Sequence, residues 1–147
     1  MNFEIECTQA VPEPGLAKRF RSWTIEYHAP TETVVITAHG RIFHEDAERQ
    51  AEEASRLMRL HRTNRVLADF SAGCVEISLA KIYWFPAHYS ALTADRRFRV
   101  AVVIPVNGHR VGSFKFYEAL CTNAGFNVKL FAEFADAENW LQPSSIA

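Results

Sequence analysis

The chain has 147 residues, 48% of them apolar and 12% aromatic, with 22% charged residues and a formal net charge of −1. This is the composition of an ordinary globular domain able to bury its own core, and it excludes a disordered or fibrous polymer. Lys and Arg are scattered rather than gathered on one face, which argues against a nucleic-acid partner, and no apolar run approaches the ~18 residues of a membrane span.

Residues 1–20, opening with "MNFEIECTQAVPEPG", carry two prolines and a glycine with little periodicity and are expected to form a loose N-terminal arm. No basic region followed by an apolar core appears there, so no signal peptide is expected. The three cysteines, Cys7, Cys74 and Cys121, are odd in number and form no C-x-x-C pair. They read as small buried hydrophobes in a reducing compartment, and a cytoplasmic location is expected.

A domain is expected over residues 21–142, with 143–147 as a short tail. "WTIEYHA" and "TVVITAHG" have strand length and strand patterning, and "PTET" between them supplies a hairpin turn. "HEDAERQAEEASRLMRLH" predicts a helix, with Glu45, Asp46 and Glu48 in its first turns and Arg56, Arg59 and His61 near its end, as the macrodipole favours. Its apolar residues Ala47, Ala51, Ala54, Leu57, Met58 and Leu60 leave one side for a sheet. "RVLADF" is a third strand. "SLAKIYWFPAHYSAL" is at least partly helical and interrupted at Pro86, where a ring without an N–H ends or kinks a helix.

"FRVAVVIP" is a continuous apolar strand of the kind buried on both faces of a parallel sheet. After the "NG" turn, "HRVGSFKFYEALCTNAG" predicts a helix with Phe114, Tyr117, Leu120 and Cys121 on one side and Gly125 as its left-handed terminator. "FNVKLFA" is the last strand and "FADAENWL" a closing helix. The alternation predicts an α/β fold: a mostly parallel five-stranded sheet with its first strand antiparallel at an edge, flanked by about four helices.

The segment "RVAVVIPVNGHRVGSFKFYEALCTNAGFNVKLFAEFADAENWL" resembles the ends of bacterial SpoIIAA-like, STAS-like domains, through Val100 to Val103, Phe131, Ala137, Trp140 and Leu141. "GRIFHED" resembles their strand-to-helix turn, and the likeness spans roughly Trp23 to Leu141. It implies a compact α/β sandwich, also similar to the CRAL-TRIO lipid-transfer fold, and a protein-binding role sometimes switched by serine phosphorylation. In "DFSAG" the residue nearest to the phosphorylated serine of such domains is Ser71, within a broken version of the pattern.

Read from the residues alone, Asp69 and Ser71 form a turn by bonding nearby backbone N–H groups, while Gly73 supplies a free backbone angle. Cys74, beside Gly73, Val75 and Glu76, lacks the base and positive surroundings of a useful thiolate and reads as a buried spectator. His39, His44, Glu45 and Asp46 could ligate a metal, but one histidine ends a strand and the other opens a helix, so no metal or other cofactor is expected. No nucleophile elbow or catalytic set supports an enzyme.

If a ligand binds, the expected place is where "DFSAG" and "VNGHR" approach, with Ser71, Gly73, Asn107, His109 and Arg110 around an apolar or anionic molecule. Ile82, Tyr83, Trp84, Phe85 and Tyr89 are too many large side chains for one buried face. They are expected to form a partner surface, for a homodimer or another protein, or an apolar pocket. Two functions are therefore expected: a non-enzymatic, STAS-like interaction or regulatory module, or a carrier or sensor of a small apolar or anionic, lipid-like ligand.

Overall fold

The computed structural model describes residues 18–20, 22–93 and 97–143, with the side chains of Lys18 and Arg19 not described. The expected arm up to residue 17 and the tail from 144 lie outside the described residues. Lys18–Arg19 is a two-residue strand, β1, paired antiparallel with β2, Trp23–His28. A 3-10 turn at Ala29–Thr31 leads into β3, Thr33–Ala38, antiparallel to β2. Arg41–Ile42 forms the short β4 and His44–His61 the helix α1. Then come β5, Arg65–Asp69, and the short β6, Cys74–Val75. Two helices come next, α2 at Leu79–Ile82 and α3 at Phe85–Leu92. The chain finishes with β7, Arg99–Val103, α4, Val111–Asn123, β8, Asn127–Phe131, and α5, Phe134–Leu141.

The five longer strands make the expected mostly parallel sheet with β2 antiparallel at one side. The two-residue β1 extends it, giving the order β1-β2-β3-β5-β7-β8. From β3 onward the order advances in one direction. Crossovers of a single hand then lay successive helices on the same face, and that is the arrangement here. Val34 and Ile36 of β3, Val66 and Ala68 of β5 and Val102 of β7 share a core with residues of α1, α3 and α4. The alternate residues Leu67, Ala101 and Val103 face Ala137 and Leu141 of α5 instead, as the two-residue period of a strand requires. One face therefore carries α1, α3 and α4, with the single-turn α2 beside α4, and the other carries α5.

Asp46 does more at the start of α1 than complement a dipole. Its Oδ2 accepts the Phe43 N–H at 2.8 Å and its Oδ1 accepts the Trp23 indole N–H at 3.2 Å, tying the helix entry to β2. The helix ends at Arg62, whose φ of 55° turns the chain out of it. The two-residue strands β4 and β6 pair in parallel as a separate ribbon beyond the ends of β3 and β5.

Two local expectations change. Pro86 does not end a helix. It lies in the first turn of α3, where its missing N–H is not needed, and the break falls just before it at Tyr83 and Trp84. Gly73 is not required for a positive φ, which the described glycines adopt only at Gly108 and Gly125. A Cβ on Gly73 would lie 2.7 Å from the Cβ of Ala38, so glycine is there for close approach of two chain segments.

Candidate functional site

Between the sheet and the three-helix layer lies a cavity of about 130 Å³. Its walls are apolar side chains of β3, β5 and β7 on one side and of α1, α3 and α4 on the other. Ile42 of β4, Val75 of β6 and the following Ile77, all buried, cap it where the parallel strands end. At the other end of the strands the wall is formed by Ser55, Met58, Thr93 and Phe98.

Few polar groups reach this space. Gln50 lies on α1 among the cavity's apolar lining, is only 5% exposed, and its Nε2 has no hydrogen-bond partner. A buried donor left unpaired costs about 1–3 kcal/mol unless something accepts from it. Tyr89 and Tyr117 also line the cavity and share a hydroxyl hydrogen bond of 2.7 Å. Burial pushes both phenols above their usual range, with Cys121 adding to each shift. Burial also pushes the free Cys121 thiol up to about 12, against a smaller opposing effect of its hydrogen bond with Tyr117. This trio is a set of neutral donors and acceptors at neutral pH, with no group poised to take a proton.

The residues anticipated as a ligand site lie elsewhere, at the carboxyl end of the parallel strands. Their two loops do meet there, with the Val106 N–H donating to the Ser71 carbonyl at 3.4 Å. Ser71, Asn107 and Arg110 have internal partners, whereas the buried Nε2 of His109 has none. Ser71 gives both its N–H (3.0 Å) and its hydroxyl (2.6 Å) to Asp69 Oδ1. Asn107 Oδ1 accepts the His109 N–H at 2.9 Å, and Arg110 pairs with Glu76 at 3.4 Å. Gly73 is packed against Ala38. Crossover-loop sites need a point where the strand order reverses and neighbouring loops part, and this order does not reverse between β3 and β8.

The aromatic run divides. Ile82 and Phe85 are buried, and together with Tyr89 they line the cavity. Tyr83 and Trp84, at the break between α2 and α3, are 67% and 40% exposed. Trp84 stacks on His88 with ring centroids 4.6 Å apart and lies 5.4 Å from His44.

Cys74 is buried, as expected, but it is disulfide-bonded. The reading of all three cysteines as thiols is thereby corrected, and the argument from cysteine usage to a reducing compartment goes with it. Among the described residues no three His, Cys, Asp or Glu side chains converge as metal ligands, and His44 Nε2 contacts Glu48 at 3.1 Å. No described helix is long and apolar enough to cross a membrane.

Gln50 escapes an apolar-residue count because it is polar, although its position was legible: with Ala47, Ala51 and Ala54 it keeps the i, i+3, i+4, i+7 spacing of one helix face. No family model, curated protein or solved structure matches the chain.

Proposed function

We propose that the protein is a non-enzymatic carrier or sensor that holds a small, mainly apolar molecule between its sheet and its three-helix layer. The observation that carries this reading is the apolar cavity of about 130 Å³ with the unpaired Gln50 Nε2 at its wall. That volume approaches the roughly 150 Å³ at which an apolar cavity takes up benzene. An oxygen acceptor on the ligand would satisfy Gln50. A binding role, rather than a catalytic one, is also supported by the engagement of each candidate nucleophile: Ser71 with Asp69, Cys74 in a disulfide, Cys121 as a buried neutral thiol. Titration with benzene and with cyclohexanone, followed by methyl NMR of Val66, Ile77 and Ile82, tests the reading. Saturable shifts of these and other cavity-lining methyls, with cyclohexanone bound more tightly and losing its advantage in Gln50→Leu, are expected. Absence of saturable binding of either probe overturns the reading.

A second reading, an interaction module of STAS-like type, rests on the exposed pair Tyr83 and Trp84. Large aromatics at an exposed helix break suit a protein partner, and a second copy of the chain is the partner proposed. The resemblance of the sequence to SpoIIAA-like and STAS-like domains belongs to this reading. Its serine switch draws no support from Ser71, where a phosphoryl group would adjoin the Asp69 carboxylate.

A further inference from the structure

A second cleft, of about 390 Å³, opens at the amino end of the parallel strands, where α1 finishes and β5 and β7 begin. Arg59, Arg62, Arg65 and Arg97 line it, and Glu32 is the one carboxylate among its described lining residues. Arg59 donates to Ser55 Oγ at 2.8 Å. Arg65 donates to the Thr31 carbonyl at 3.0 Å and approaches Glu32 at 3.7 Å. The carboxyl end of α1 accounts for Arg59 and Arg62, since cations suit that end of a helix. It does not account for Arg65, which opens β5, or for Arg97, two residues before β7. Arg59, Arg62 and Arg65, three guanidinium groups beside the single Glu32 carboxylate, give this cleft a positive field that attracts an anion.

The cleft and the cavity adjoin, separated by no more than a shared wall. Ser55, Met58, Thr93 and Phe98 line both. The far end of the cavity is capped by Ile42, Val75 and Ile77, so the arginine-lined end is where a ligand would enter. Along α1, Gln50 and Arg59 are separated by roughly 14 Å at 1.5 Å per residue. An apolar interior thus meets a cationic mouth across about half the length of α1.

We propose that the two spaces together take a single-chain anionic amphiphile, its oxyanion head at the arginines and its apolar tail passing Met58 and Phe98 into the cavity. This rests on the reading of the cavity as a ligand site and adds the chemical class of the ligand.

Calorimetric titration of the full chain with octanoate, octyl phosphate, 1-octanol and acetate tests it, at low and high salt. The octyl anions are expected to bind roughly tenfold more tightly than 1-octanol at low salt. The advantage should shrink with added salt and vanish in Arg59→Gln/Arg62→Gln, with 1-octanol binding unchanged. Ala51→Leu, which fills the cavity, should weaken all three octyl compounds. Whichever octyl anion binds more tightly identifies the head as carboxylate or phosphate. Equal binding of anions and alcohol, insensitive to the arginine substitutions, overturns the anionic head and leaves the cavity reading standing. Acetate binding as tightly as octanoate, with no effect of Ala51→Leu, overturns the amphiphile in favour of a plain anion site. Absence of binding by every compound overturns both. Should the double variant fail to fold, the salt dependence of the unaltered chain decides between charged and uncharged heads.

Discussion

Gly73 and Ala38 occupy one point where two chain segments touch, and the absence of a single methyl makes the contact possible. Gly73→Ala would put its Cβ 2.7 Å from that of Ala38, so one backbone must move and the neighbouring ribbon of β4 and β6 moves with it. A loss of about 1–3 kcal/mol is expected, measured by urea denaturation. The buried trio gives a second residue-scale expectation. Tyr89, Tyr117 and Cys121 all release protons less readily in the folded chain than their ordinary values of 10.0 and 9.0. Above about pH 9 the unfolded chain therefore loses protons that the native protein keeps, and stability present below that pH falls as pH rises. Each such group contributes a slope of about 1.4 kcal/mol per pH unit. Denaturation between pH 8 and 11 should show this decline, and Tyr117→Phe should make it shallower above pH 10. Little of this was legible in "DFSAG" or "KFYEALC" alone, because the Tyr89–Tyr117 bond and the Gly73–Ala38 contact join positions 28 or more apart.

Continuous apolar runs carried the strands β3, β5 and β7 plainly, and the acid-to-base gradient of "HEDAERQAEEASRLMRLH" carried α1. The elements that escaped were the short ones. Two-residue strands such as β4 and β6 have no periodicity to detect and exist because the ends of β3 and β5 are already held side by side. Pro86 was legible as a breaker but not as a starter, since the same ring that halts one helix suits the first turn of the next. The consequence of that break is the outward turn of Tyr83 and Trp84. If a second copy covers them, Trp84→Ala should convert a dimer to a monomer in sedimentation velocity at micromolar concentration, at a stability change of about 1 kcal/mol or less. A wild-type chain that sediments as a monomer would remove the dimer. At the other side of the sheet α5 is anchored by Arg99, whose guanidinium lies 4.8 Å from the Trp140 ring centroid and bonds the Trp140 carbonyl. The exposed edge at β8 is partly occupied by Glu118, which accepts the Leu130 N–H at 3.0 Å.

For the molecule as a whole, the alternation of strands and helices was enough to give the sheet and its direction, but not which face each helix takes. That came from an order that never doubles back. It places the proposed site in the interior rather than at the loops, with arginines from positions 59 to 97 lining one cleft. Interior space has a further consequence. A folded chain that encloses a void occupies more volume than the same chain opened to water, so compression favours unfolding in proportion to the space eliminated. Hydrostatic pressure should therefore unfold this protein more readily than its neutral-pH chemical stability suggests, with high-pressure fluorescence of its tryptophans as the readout. Ala51→Leu should raise the midpoint pressure by occupying part of the void, and a guest seated inside should raise it again without any change of sequence.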